Sequence, residues 1–398
     1  MHLRFRIILM GGLCLGLAAC TGPAENEAKP VPEPAAETPE SAAQTADWAQ
    51  FRGGPRQQGV APVRIEPPLA AAWEHDAGAA IKGGAAIAGD RVYVATELGE
   101  VICLDLGNGE PVWNFATDGP VEATPLVIDG GVYLGSGDFH FYKLDAATGE
   151  EVWKIKTENK ILGSANWWRQ DGRLRIYVGS YDHHLYEIAA SSGEVLARFK
   201  TENYVHGTPA VGPEGTLAFG GCDGSLYILE AGGLAPRQEI PDLTYMGASV
   251  CLAGETGFIG TYGKEVLAFD LRSGEVLWRF EKSNFPFFSS AAHDAERNRI
   301  YVGGRDKKLH ALDAATGEER WAFTARGRID SSPVISGAHV FVGSDDGRLY
   351  AIEAATGEEA WSYDLGGRVS AEPAIGGGYL VIGSAGGKVF AFQPAASN

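Results

Sequence analysis

Positive charge is in short supply. Against 51 Asp and Glu the chain carries 33 Lys and Arg, a formal net charge of −18 over 398 residues. A nucleic-acid binder must neutralise phosphates with Lys and Arg, so the composition excludes that class. It also argues against charge-driven docking of the folded part on anionic lipid. Long apolar runs are lacking too. The stretch Ile7 to Leu17 is too short to span a bilayer, which takes about 20 residues. Cysteine is sparse, with five in all and no two adjacent. No Gly-rich phosphate loop, HExxH or GxSxG is present, so none of those chemistries is signalled.

What is present begins with an export signal. Arg4 and Arg6 precede the apolar Ile7–Leu17 stretch, and small residues follow. The ending "LAAC" (Leu17 to Cys20) resembles a bacterial lipobox. That resemblance implies removal of residues 1–20, lipidation of Cys20, and, with Thr21 rather than Asp after it, the periplasmic side of the outer membrane. Residues 21–46 are rich in Pro, Ala and Glu, with Val31 their large apolar residue. Such a segment cannot bury enough surface to offset its ordering entropy, and reads as an extended tether. Residues 47–69 are a lead-in, expected to pack across the blade that closes the fold.

The rest repeats. "LDLGNGEPVW", "LDAATGEEVW", "FDLRSGEVLW", "LDAATGEERW" and "IEAATGEEAW" are one phrase, with "IAASSGEVLA" and "LEAGGLAPRQ" as weaker copies. Their turn glycines, from Gly109 to Gly357, recur roughly every 40 to 44 residues, a period that fits four short strands per unit. Each unit reads as strands A, B, C and D, with a Thr-Gly-Glu turn between C and D. Alternation such as Leu349-Tyr350-Ala351-Ile352 marks a two-faced sheet. Six of the nine Trp start strand D: Trp73, Trp113, Trp153, Trp278, Trp321 and Trp361. One per unit, they are expected to pack between neighbouring blades. The chain ends on a strand C (through Phe390), while Trp73 begins a strand D with no A to C before it. The two halves predict an all-β, eight-bladed propeller over residues 70–398, closed by its N-terminal strand.

The form "VYVGS-D--LYALDA-TGE--W" resembles the bacterial pyrroloquinoline-quinone-like repeat propellers, including the BamB type of outer-membrane assembly lipoprotein. The resemblance implies a non-enzymatic, monomeric scaffold in the cell envelope, with a protein partner such as a β-barrel assembly component. Where that type carries an apolar, Arg-containing loop, this chain reads "RFKTENYVHGTPAV" (Arg198 to Val211). A small-molecule or sugar-binding propeller is the alternative, or a quinoprotein dehydrogenase. The last would need a roofed axial pocket, a divalent cation and, in many members, adjacent cysteines. No cofactor and no metal are expected.

Regular residues point to structure. Asp138, Asp182, Asp223, Asp306 and Asp346 recur once per blade and read as turn caps, and His140, His183 and His184 as surface turns. The irregular residues lie between strand D and the next strand A: Tyr204, His206, Tyr245, Phe285, Phe287, Arg328 and Arg368, with Lys82 and Arg368 across the ring from Tyr204, His206 and Tyr245. Aromatic and Arg side chains anchor interfaces, so these are the candidate partner-binding residues. Blades three and four have lost the tryptophan, with Ala197 and Arg237-Gln238 in its place. Trp167-Trp168 sit in a lengthened A–B turn of that same sector. After Cys14 and Cys20, the remaining Cys103, Cys222 and Cys251 fall on separate strands and turns and are expected to be free thiols.

Overall fold

The computed structural model describes residues 47–395. Cys20 and the tether lie outside them. Eight antiparallel four-stranded sheets form the blades of a β-propeller. Blades 1 to 7 span residues 86–116, 126–156, 166–200, 210–240, 251–280, 292–324 and 334–364. Blade 8 takes strands A to C from Ala374–Gly376, Tyr379–Gly383 and Lys388–Pro394, and strand D from Leu69–Asp76 at the other end of the chain.

The closing strand reproduces an ordinary strand D in detail. Trp73 lies opposite Ala391, as Trp113 lies opposite Cys103 and Trp321 opposite Ala311. The register slips between Ala71 and Trp73, the same bulge that precedes the tryptophan elsewhere. Each tryptophan reaches over the C–D turn of the next blade. Trp73 Nε1 donates to Leu106 O at 2.7 Å, Trp113 to Ala146 O at 3.0 Å, Trp153 to Ala190 O at 3.2 Å, Trp278 to Ala314 O at 3.0 Å and Trp321 to Ala354 O at 3.1 Å. The indole lies flat on the turn glycine. A Cβ on Gly109, already at φ +76°, would sit 2.6 Å from Trp73, so glycine is required there by both conformation and space. Trp361 faces the one blade without a C–D turn and packs edge-on against Phe392 instead, centroids 5.7 Å apart.

The two blades without a tryptophan have substitute contacts. At Gln238 in blade 4, Nε2 donates to Arg272 O at 3.3 Å, over the turn of blade 5. Ala197 leaves room in blade 3, and its cross-strand partner Glu187 fills the role. The buried Glu187 carboxylate accepts Gly233 N–H of blade 4 at 2.6 Å and pairs with Arg175.

The capping aspartates behave as their regularity suggests. Asp138, Asp182, Asp223 and Asp346 accept the hydroxyls of Tyr142, Tyr186, Tyr227 and Tyr350 at 2.6 to 2.8 Å. In blade 6 His310 replaces the tyrosine and bonds Asp306 at 3.0 Å. The three cysteines are free, Cys103 and Cys251 buried.

The lead-in does not lie across the closing blade alone. It runs round the inside of the ring at the end carrying the A–B turns, and its backbone bonds the innermost strands. Trp48 pairs with Ile87 of blade 1, and Val127 N–H donates to Ala49 O in blade 2. Val211, Leu252, His293 and Ile335, in blades 4 to 7, donate to Pro55, Arg56, Gln58 and Gly59. Blade 3 joins through Asn166 Nδ2, 2.8 Å from Pro55 O, and through Trp167 Nε1, which donates to Gln50 Oε1 at 2.6 Å. Short strands crowded on an axis leave their outermost amides without a ladder partner, and the lead-in supplies one.

Its centre is Arg52, wholly buried, which donates to Pro333 O at 2.5 Å and Ala291 O at 2.8 Å. Glu372 of blade 8 accepts the Arg52 N–H at 3.2 Å and lies 3.7 Å from its guanidinium. Burial pushes the Glu372 carboxyl up to about 7, with Arg52 opposing it. Burial likewise draws the Arg52 guanidinium down.

Two outcomes check this description. Trp73→Ala should cost about 3 to 5 kcal/mol in chemical denaturation, and a loss below about 1 kcal/mol would place Trp73 outside the core. Glu372 has its folded pKa above its ordinary 4.5, so its share of stability is present below that value and lost as pH rises towards 7. Arg52→Met removes the countercharge, so its cost should be larger at pH 8, at about 3 to 5 kcal/mol, than at pH 5, where Glu372 is protonated. Equal denaturant midpoint shifts at the two pH values would contradict the pairing.

Candidate functional site

The lead-in seals one end of the axis. The other end, where the B–C turns and D–A segments meet, is open. Eight equivalent positions ring it near the start of each strand A, and crowding makes them small. Just before the blade 3 position, a Cβ on Gly163 would lie 2.4 Å from His206 O. Hydroxyls link blade to blade: Gly84 N–H donates to Thr124 Oγ1, Thr124 N–H to Ser164 Oγ, Thr208 N–H to Ser249 Oγ and Ser249 N–H to Ser290 Oγ, each at 2.9 Å. Glu372 takes the corresponding place in blade 8, and Gly84 in blade 1 leaves room for it. Above the ring is a funnel of about 180 Å³, floored by Phe51 and Glu372.

The charges at its mouth are paired. Lys82 bonds Glu97 and, at 3.2 Å, Glu122. Asp330 accepts a fork from Arg305 at 2.8 and 2.9 Å. His206 Nδ1 lies 2.7 Å from the Tyr181 hydroxyl, and burial lowers the ring's pKa from its usual 6.5, so the imidazole is neutral at pH 7.

Outside the funnel, one backbone bond recurs in every blade. The first residue of the B–C turn donates its N–H to the carbonyl of the D–A segment: Tyr181 to Lys160, Cys222 to Tyr204, Tyr262 to Tyr245, Arg305 to Pro286, Asp345 to Arg328 and Ala385 to Arg368 among them. The backbone repeats while the side chains change, so the fold does not dictate them. In blades 3 to 6 they are aromatic or sit on aromatics. Tyr181 and Tyr204 stack at 4.6 Å, Tyr245 and Tyr262 at 4.1 Å, Lys160 Nζ lies 4.7 Å over Tyr181, and Arg305 lies 4.0 Å over Phe288. Tyr204, Tyr245, Tyr262 and Phe285 are 37 to 51% exposed, high for rings of this size. Stacking fixes the three tyrosines flat on the surface at low entropic cost.

The expected residues divide accordingly. Tyr204, His206 and Tyr245 come together in this crescent, with His206 beneath the surface, buttressing Tyr181. Phe285 lies on the next D–A segment. Phe287 is corrected. It is 0% exposed, edge-on to Phe280 and His310 in the core below blades 5 and 6. Proline at position 286 turns the chain so that Phe285 points out and Phe287 in. Arg328, paired with Asp345 at 3.0 Å, and the exposed Arg368 belong to blades 7 and 8, apart from the crescent. Tyr181, Tyr262 and Phe288 were missed. For Tyr181 and Tyr262 the available signal was an aromatic in a turn position held by Asp345 and Ala385 in other blades; Phe288 lies in the "NFPFF" stretch beside Phe285.

The family described as outer membrane protein assembly factor BamB matches residues 70–167 and 263–398. The chain belongs to this family. The unmatched interval, 168–262, contains blade 4, most of blade 3, and Tyr181, Tyr204, His206, Tyr245 and Tyr262. BamB of Moranella endobia (strain PCIT) is 23% identical over 265 residues, 65% of this chain and 58% of that protein. BamB of Escherichia coli (strain K12) is 28% identical over 272 residues, 63% of this chain and 68% of that protein. A quinoprotein ethanol dehydrogenase of Pseudomonas putida is 36% identical, but over 76 residues and 12% of its length. Among solved structures, BamB from Moraxella catarrhalis superposes with TM-score 0.70 at 19% identity, over 83% of this chain and 99% of that one. A europium-containing methanol dehydrogenase gives 0.74 at 13%, over 87% and 98%. At such identities these likenesses establish the propeller and no more.

The residues present do not fit a quinone with its cation. The axial funnel, at about 180 Å³, is below the roughly 300 Å³ at which ligand pockets begin. The described residues contain no cluster of three His, Cys, Asp or Glu able to hold a metal. Cys222 is half-buried beneath the crescent, and burial raises its thiol above the usual 9.0. Titration of the folded protein with a thiol reagent should therefore proceed slowly, and three thiols should appear once residues 47–395 are denatured. Fewer than three would reveal a disulfide and a misplaced strand.

Proposed function

We propose that this chain is a non-enzymatic scaffold of the cell envelope, a monomer lipid-anchored at Cys20 on the periplasmic side of the outer membrane, that serves outer-membrane protein assembly by holding a protein partner on its channel face. Membership of the BamB family supports the setting. The observation that carries the reading is the crescent of aromatics over blades 3 to 6, with Tyr204, Tyr245 and Tyr262 flat and exposed. Tyrosine supplies contact area with few rotors to freeze, and exposed aromatic clusters of this kind are where interface energy concentrates. The tyrosines of the crescent lie in the interval that the family pattern leaves unmatched, which supports partner choice as a property of this chain's own sequence. Arg328 and Arg368, on the D–A segments that lead into blades 7 and 8, would form a polar flank beside the crescent and add less energy.

The experiment is capture from detergent-solubilised membranes with Tyr204→Ala, Tyr245→Ala and Tyr262→Ala combined, leaving the buried His206 in place. Captured partner should fall at least tenfold, as expected when two or more anchors are lost. A control with Arg328→Ala and Arg368→Ala should retain most of it. Unchanged capture by a folded triple variant would refute the site, and loss in the control alone would move it to blades 7 and 8.

A further inference from the structure

Blade 3 differs from its neighbours at the opposite face. Its A–B hairpin, Asn166–Gln170 and Arg173–Gly179, has strands of five and seven residues, against three and five in blades 1, 2, 5, 6, 7 and 8. The extension carries three arginines, Arg169, Arg173 and Arg175. It forms one wall of a groove of about 590 Å³ between blades 2 and 3, with Asp129, Tyr133 and Lys143 on the other. That volume lies within the roughly 300 to 1,000 Å³ usual for ligand sites. Four cations converge here in a chain of net charge −18.

Their pairing leaves capacity. Lys143 donates to Ala190 O at 3.1 Å and Arg173 is exposed. Neither has a carboxylate within ion-pair distance among the described residues. Arg169 Nη2 donates to both Asp129 carboxylate oxygens at 2.8 and 3.0 Å, but both residues are about half exposed, and a pair of that kind is held by about 1 kcal/mol or less. Arg175 pairs with the buried Glu187, and its Nε has no partner. Tyr133 adds a hydroxyl. Its counterparts Tyr93 and Tyr301 each bond the next blade's turn carbonyl at 3.2 Å. In blade 2 that carbonyl, Ala190 O, is taken by Lys143 and Trp153, and Tyr133 lines the groove.

We propose that this groove binds a phosphate group. A tetrahedral dianion or diester accepts several donors at once, which the arginine forks, the lysine and the tyrosine hydroxyl supply. The carboxylates Asp129 and Glu194 at its edge keep the site weak for ions lacking that geometry. The phosphate has two sources, a lipid headgroup or a free phosphate ester. Residue 47 joins the propeller on this same face, where Asp47 Oδ1 accepts Gly89 N–H at 3.1 Å.

The test titrates the full chain at low ionic strength with glycerol 3-phosphate by calorimetry. In parallel, it is sedimented with phosphatidylcholine vesicles with and without phosphatidylglycerol. Lys143→Gln with Arg173→Gln should lower affinity about fivefold or more, and Arg173→Gln alone, on an exposed side chain, should give part of that loss. Any anchor is common to all the proteins and cancels in the ratio. Lys264→Gln with Lys282→Gln, the same charge change on the channel face, should lose nothing. Loss with glycerol 3-phosphate assigns a free phosphate ester, and loss confined to phosphatidylglycerol vesicles assigns the headgroup. No binding to either probe, or equal binding by the double variant and the wild type, overturns the proposal.

Discussion

A ring of sheets is stable only if it has no first and no last member. Each blade here buries one face on the blade before and one on the blade after, so an open ring would expose two apolar faces and a sheet edge. The pairing of Leu69–Asp76 with Lys388–Pro394 removes all of these at once. It brings Trp73 over the turn of blade 1, and the lead-in just upstream of it hydrogen-bonds the inner strands of blades 1 to 7. Funnel, crescent and groove all inherit their positions from that closure.

The centre of the ring adds a second constraint. Seven of the eight inner positions are Gly, Ser or Thr, and the eighth is Glu372. A buried carboxylate without a countercharge would be costly, and Arg52 meets it from a segment 320 residues away. The guanidinium also caps carbonyls at the entrances to blades 6 and 7, at Ala291 and Pro333. One side chain thus joins the lead-in to blades 6, 7 and 8. The channel becomes a blind funnel, approachable from the crescent's side.

What repeats could be read from sequence, and what occurs once could not. The Thr-Gly-Glu phrase, the tryptophan per blade and the unmatched half-blades at the two ends give eight blades and their closure without coordinates. Arg52 carries no such signature, because its partners lie on strands hundreds of residues away. The crescent was half legible. Tyr204 and Tyr245 stood out as irregular residues in D–A segments, but their stacking partners sit in B–C turns whose Gly-Ser and Asp pattern hid them. Phe287 was misjudged because "NFPFF" reads as one apolar patch, whereas alternation about Pro286 sends neighbouring rings in opposite directions. Where blades 3 and 4 have lost the tryptophan, Glu187 and Gln238 show that polar contacts do the same joining.

Ring closure by the N-terminal strand is the claim on which the rest stands, and amide hydrogen exchange measures it directly. The amides of Leu69–Asp76 that face Lys388–Pro394 should exchange as slowly as those between strands C and D of blade 1, and both sets should open in one cooperative event with the whole ring. Exchange of 69–76 at the rate of an exposed loop, with blade 1 still protected, would contradict the closure.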